Sequence, residues 1–250
     1  MKLDIIKTED IYIKAFKYIA NNSESNTLPY HNIDHLVMVF NNAYSASQHY
    51  KLDEVLGETA TKELCVASLF HDSNHSGGKL SDPENVNNSI KLFEEFFTQY
   101  IGDKLSDDDV KFKETVINIL SATEFPHKEG ELTIQQRIIR DCDMMSVLQD
   151  NYLYSVIFGL REEFGVDTIK EQIKNQTLFT MNLKMFTEWG EARISEKYGH
   201  LMNDLSVLTN IFKDDNYEKE ESPIVDMDDD FMIVNGKKMA ISSKKYVKAN

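Results

Sequence analysis

The chain has only two cysteines among 250 residues and a shortage of positive charge. It also has no apolar run approaching the roughly 18–20 residues of a membrane span. Each scarcity excludes something. Cys65 and Cys142 sit inside apolar, helix-like patterns, so no disulfide framework holds the fold and a reducing cytoplasm is the expected setting. Residues 1–10 mix charges early and show no secretory apolar segment. With 27 basic against 42 acidic residues, the net charge of −15 argues against an extended nucleic-acid backbone or an anionic membrane as partner. A small anionic substrate stays compatible, provided that a bound metal supplies local positive charge. Acidic runs such as Asp107-Asp108-Asp109 and Asp228-Asp229-Asp230 read as solvated faces and linkers.

What the chain does have is apolar material for a sizeable core, 41% of its residues, in a length suited to one large domain or a domain with an appendage. Helical periodicity covers most of residues 1–212. Helices are expected from Ile5 to Ala20, with Ile6, Ile11, Ile13, Phe16 and Ile19 as its apolar positions, and, after a polar loop and Pro29, from about Tyr30 to Tyr50. Leu52 to Phe70 reads as one buried helix. Ser73 to Pro83 is an irregular Gly/Ser/Asn/Asp loop, and Asp82-Pro83-Glu84 reopens a helix to about Tyr100 with Asp82 as its cap. Further helices are expected over Lys111–Thr123, Thr133–Leu148, Tyr152–Phe164 and Thr168 to about Phe212, the last broken near Trp189-Gly190. Residues 213–250 read as an acidic linker, a β-hairpin turning at Asn235-Gly236, and a basic tail. No internal repeat is visible.

Four of the seven histidines fall into two pairs spaced i, i+4: His31 and His35, then His71 and His75. On a helix that spacing puts both imidazoles on one face. Asp72 adjoins the second pair, and Arg140-Asp141-Cys142-Asp143 ends a later helical pattern. Imidazole nitrogens and carboxylate oxygens converging from separate helices are what a divalent metal needs in order to activate water. Position 32 is asparagine and position 72 aspartate, so neither pair carries the glutamate base of zinc proteases.

Tyr30-His31-Asn32-x-x-His35, Phe70-His71-Asp72-x-x-His75-x-Gly77 and Cys142-Asp143 together resemble the ordered signatures of the HD superfamily of metal-dependent phosphohydrolases. Within it they look most like the branch of the class I cyclic-nucleotide phosphodiesterases, over about residues 29–150. The resemblance implies an all-α, phosphodiesterase-like helical bundle, here with a short C-terminal β-hairpin appendage. It implies that His35, His71, Asp72 and Asp143 bind a first metal (zinc, manganese, iron, cobalt or nickel). Asp72 would bridge to a second (magnesium or manganese), and a water between the two would become the hydroxide nucleophile. His31 would protonate the leaving oxygen, and His75 would lie against a metal ligand or near the second metal. Asp141 competes with Asp143 for the last ligand position; matching Cys142-Asp143 to the family element favours Asp143.

Two departures bear on the substrate. Gly77-Gly78 leads into Lys79–Asp82, not into the asparagine of the cyclic-nucleotide enzymes, and Asn85-Val86-x-x-Ser89 looks closer to an element of small HD phosphohydrolases. No glutamine is anchored as the purine-holding residue, although Gln172 and Gln176 lie in the appropriate half. Asn85, Lys79 and His127 are candidate substrate contacts, and Phe179, Phe186 and Trp189 candidate base-stacking or core aromatics. The expectation is metal-dependent hydrolysis of a nucleotide phosphoester, foremost a cyclic-nucleotide phosphodiester. Alternatives are a nucleotide phosphomonoesterase, a nucleoside-triphosphate or alarmone hydrolase, and a catalytically silent nucleotide-binding module.

Overall fold

The computed structural model describes residues 10–102, 104–213, 225–228, 231–234 and 237–240. By its contacts the chain divides into two compact units, Met1–Ser146 with Met185–Glu191, and Val147–Lys184 with Ala192–Asn250.

The first unit is built around α4 (Ala60–Phe70), in which every residue except Lys62 is buried. A helix without a polar face must be wrapped on all sides. Its neighbours are α1 (Asp10–Asn22), α2 (Ile33–Tyr50), α3 (Leu52–Leu56), α5 (Asp82–Ile101), α6 (Asp107–Ser121) and α7 (Ile134–Met144). Phe70 meets Phe93 and Phe96 at ring separations of 5.5 and 5.2 Å, and Phe97 lies parallel to Phe112. These rings and the fully buried Leu36, Leu64, Ile119 and Leu120 form the core.

Several expected boundaries move, each for a local reason. α1 buries Ile11, Ala15, Tyr18 and Ile19, a stripe of period 3.6. Ile13 and Phe16, expected in the core, lie off that stripe and are exposed; Ile6 lies outside the described residues. α2 begins at Ile33, not Tyr30, because Asn32 is the N-cap and its Oδ1 accepts from the Asp34 and His35 amides. The segment read as one helix from Leu52 to Phe70 breaks at Gly57, whose φ of 123° ends α3. Ser81, not Asp82, caps α5, in a reciprocal box with Glu84. Asp107-Asp108-Asp109 open α6, and Asp109 accepts from the Ser106 amide.

The second unit holds α8 (Tyr152–Tyr154), a π-helical turn (Ser155–Leu160), α9 (Arg161–Phe164), α10 (Ile169–Met181) and most of α11 (Glu188–Ile211), whose first turn is counted with the first unit. The interruption between α10 and α11 falls at residues 182–187, ahead of Trp189-Gly190 where the pattern placed it. Gln172 and Gln176 are buried and committed locally. Gln172 Nε2 donates to the Val156 carbonyl at 2.8 Å, and Gln176 Nε2 to the Tyr152 hydroxyl. α11 buries Leu201, Leu205, Leu208 and, just beyond it, Phe212.

Residues 225–240 contribute three short antiparallel strands, β1 (Val225–Asp228), β2 (Phe231–Val234) and β3 (Lys237–Ala240), in that order. β1 lies in the stretch read as linker. Asn235-Gly236, on which the hairpin expectation rests, lies outside the described residues. Helices make up the rest of the described secondary structure, so the body of the protein is all-α. Among the described residues no helix is long and apolar enough to cross a membrane.

Candidate metal centre

Three short stretches of backbone deliver the candidate ligands, and each is held by contacts outside the cluster. α7 is pinned to α4 by Gln135, whose Nε2 donates to the Ala60 carbonyl and to Glu63, both at 3.0 Å. Asp143 lies two helical turns beyond Gln135. His35 occupies the first turn of α2, set by the Asn32 cap. His71 is the C-cap of α4, and Asp72 follows it.

His35, His71, Asp72 and Asp143 meet, with one donor atom of each lying within 4.8 Å of all the others. His71 Nε2 is 3.1 Å from His35 Nε2 and 3.1 Å from Asp72 Oδ2. His35 Nε2 is 3.2 Å from Asp72 Oδ2 and 3.3 Å from Asp143 Oδ1. The imidazole of His71 has a defined polarity. Its Nδ1 is 2.8 Å from the Ser68 carbonyl, which can only accept, so Nδ1 carries a proton and, in the neutral ring, Nε2 presents a lone pair to the cluster.

Electrostatics add to that geometry. Burial by itself would depress both histidines. For His71 the charge of Asp72 and hydrogen bonds donated to Asp143 and Asp72 outweigh burial and hold it well above its ordinary value. His35 is raised more by hydrogen bonds donated to Asp143 and Asp72 than burial and the His71 charge lower it. Burial pushes the two carboxyls up, but the neighbouring imidazoles bring Asp72 and Asp143 well below the usual carboxylate range. The carboxylates thus draw positive charge to the imidazoles, and a divalent cation held between these nitrogens and oxygens would supply it while displacing protons. Two imidazole nitrogens and two carboxylate oxygens form a donor set suited to such an ion, and the residues fit it.

His31 and His75 flank this group. The expectation that His31 and His35 share one helix does not hold, because His31 precedes the α2 cap, whereas His75 lies after α4 in the stretch read as a loop. The chain nonetheless brings them together, with rings stacked at a centroid distance of 3.8 Å. His31 Nε2 stands 4.0 Å from Asp72 Oδ2. Tyr30 packs edge-on to His31, and its hydroxyl donates to Ser146 Oγ at 3.1 Å. In His75 the polarity is opposite to that of His71. Its Nδ1 accepts from the Gly77 amide at 3.2 Å, so in the neutral ring Nε2 carries the proton and His75 offers a donor.

The 71–78 turn owes its shape to left-handed Asn74, Gly77 and Gly78. Asn74 Oδ1 accepts from the Glu24 amide, and Ser89 Oγ donates to the Ser73 carbonyl. Asn85, a candidate substrate contact, is buried and its Oδ1 accepts from the Ser76 amide at 3.0 Å. Its oxygen is spent on shaping this turn. Lys79 is exposed at the far end of the turn.

Asp141 and Asp143 part company on α7. Asp143 joins the imidazoles, whereas Asp141 receives the Phe186 amide at 2.7 Å, the Thr187 amide at 2.9 Å and the Thr187 hydroxyl at 2.5 Å. Burial pushes Asp141 up to about 6 despite these donors. Gly190 approaches so closely that a Cβ there would overlap the Asp141 carboxylate. Thr187 carried no local motif and Gly190 was read only as part of a helix break, so sequence reasoning missed their contact with Asp141. Arg140 donates to the Ala122 and Lys128 carbonyls and lies over the Phe186 ring at 5.2 Å. His127 rests edge-on against the same ring. Its Nδ1 faces the Glu124 carbonyl, its Nε2 is buried without a hydrogen-bond partner, and burial and then the Arg140 charge lower its pKa. A neutral ring of that polarity accepts at Nε2, which does not suit the phosphate contact considered for it.

No protein-family model matches the chain, and comparison with curated proteins and with solved structures returns no significant match. The structure by itself thus establishes a helical protein with a buried His/Asp group able to hold a metal ion.

Proposed function

We propose that this chain is an HD-type metal-dependent phosphohydrolase acting on a nucleotide phosphoester, foremost a cyclic-nucleotide phosphodiester. The observation that carries the reading is the convergence of His35, His71, Asp72 and Asp143 with His31 set against Asp72. A divalent ion bound there, with a second beside Asp72, would supply positive charge for the phosphoryl group and acidify a water molecule. The chain's own residues do the rest. His71 is kept in its ligating tautomer by the Ser68 carbonyl. Asp72 has its Oδ2 toward both the ligand imidazoles and His31, so it can hold the His31 ring in place. His31 can carry a proton at Nε2 and deliver it to a leaving oxygen, work that suits an imidazole near neutral pH. In the neutral ring His75 carries its proton on Nε2 and stacks on His31. The diester is favoured over a monoester because Tyr30-His31-Asn32 resembles the element that carries the leaving-group acid of the phosphodiesterases.

A turnover screen of the metal-loaded protein tests this, using cyclic nucleotides, nucleoside mono- and triphosphates, cyclic dinucleotides and guanosine tetraphosphate. His31→Ala should lower kcat by roughly 10²–10⁴ while metal content is kept. Hydrolysis of monoesters alone would overturn the diester assignment. No turnover of any of these would overturn the enzymatic reading and leave a binding module.

A further inference from the structure

The second unit carries a groove that the metal centre does not use. α10 and the end of α11 enclose a cavity of about 590 Å³. Ile173 and Phe212 form an apolar floor and are themselves buried, whereas Leu178 keeps 49% of its surface exposed there. Lys170, Lys174 and Lys213 also line it, with Glu171 the acidic residue among them. Lys170, Lys174 and Leu178 follow one another at i, i+4 and i+8, so they form a strip about 12 Å long on one face of α10. Charges strung along a strip beside an exposed leucine suit an extended or helical chain segment better than a small molecule, which needs polar groups converging on one point.

The chain itself provides such a segment. Lys213 is part of the groove lining, and the next residues, outside the described set, are Asp214-Asp215-Asn216-Tyr217-Glu218-Lys219-Glu220-Glu221. Their charge is opposite to that of the lysines, and Tyr217 offers an apolar ring. Residues 214–224 can span about 36–40 Å when extended, ample to return along the strip. We propose that this acidic segment docks in its own chain's α10–α11 groove, with its glutamates on Lys170 and Lys174 and Tyr217 over Leu178.

Zero-length carbodiimide cross-linking of the full chain, mixed from light and ¹⁵N-labelled protein, tests the proposal by mass spectrometry. Intrachain links from Lys170 or Lys174 to Glu218, Glu220 or Glu221 are expected. Links found only between chains would assign the groove to a second copy and overturn the proposal, and so would the absence of links. A second readout uses Leu178→Cys against the buried background of Cys65 and Cys142. Converting Glu218, Glu220 and Glu221 to Gln should speed its reaction with a thiol reagent about tenfold, the combined effect of three weak surface ion pairs. An unchanged rate would overturn the proposal. Both readouts are independent of metal and turnover.

Discussion

Replacing Gly190 by alanine should be among the most damaging single-methyl changes in this protein. The new Cβ would overlap the Asp141 carboxylate, which is itself fully buried. That carboxylate receives three hydrogen bonds from Phe186 and Thr187, and the Thr187 hydroxyl in turn accepts from the Gly190 amide at 3.0 Å. Hydrogen bonds to a charged group contribute about 1.5–3 kcal/mol each, so displacing the carboxylate from two of them costs about 3–6 kcal/mol. A typical stability is only about 5–15 kcal/mol. Gly199→Ala is the internal control, because it lies on the same helix, α11, and a Cβ there meets nothing within 4 Å. That change should stabilise by about 0.5–1 kcal/mol through helix propensity alone. Urea denaturation followed by circular dichroism compares the two. The reasoning is refuted if Gly190→Ala stays within about 1 kcal/mol of the wild type, or if the two alanines shift the midpoint in the same direction.

Manganese or zinc at about a hundredfold excess over its dissociation constant should stabilise the protein by about 2.7 kcal/mol. Calorimetry should show that gain lost in Asp143→Ala and kept in Lys79→Ala; equal gains in both would remove Asp143 from the ligand set. Asn32→Ala removes the α2 cap and should cost about 1 kcal/mol. It should also weaken metal binding through His35, and a titration that shows unchanged affinity would break that link. Burial pushes the Cys65 thiol from 9.0 up to about 12. The unfolded chain then loses this proton first as pH rises, so the thiol's contribution is intact below about pH 9 and falls by about 4 kcal/mol by about pH 12. Denaturation curves should show wild type losing ground to Cys65→Ala over that window, and a constant difference would contradict the assigned burial.

Much of the candidate site could be read in the sequence because its chemistry is carried by residue types that are rarely clustered by chance. His35, His71, Asp72 and Asp143 do meet, and the choice of Asp143 over Asp141 agrees with where their carboxylates point. The local frame was less legible. His31 and His75 reach each other from a pre-helical bend and a post-helical turn, not from helix faces. Periodicity cannot register this, since the Asn32 cap and the left-handed Asn74 are decided by single side-chain and backbone preferences. The expectation for Phe16 failed because a short amphipathic helix admits two phases, and only packing against α4 selects between them. What joins Asp141 to Thr187 and Gly190 was invisible for a different reason. They are complementary in shape across more than forty positions of chain, and none forms a motif alone.

The burial of α4 on every side except at Lys62 also limits how this chain can change in length. One residue inserted between Ala60 and Phe70 would swing His71-Asp72 by about 100° and advance it by about 1.5 Å, taking both side chains away from His35 and Asp143. The surrounding helices leave no room to absorb that screw motion. Gain or loss of residues is thus confined to the joints, of which Gly57 is the nearest upstream, with open space around its Cβ position. Lineages of this protein should vary there in loop length while the span from Thr59 to Asp72 keeps a constant count.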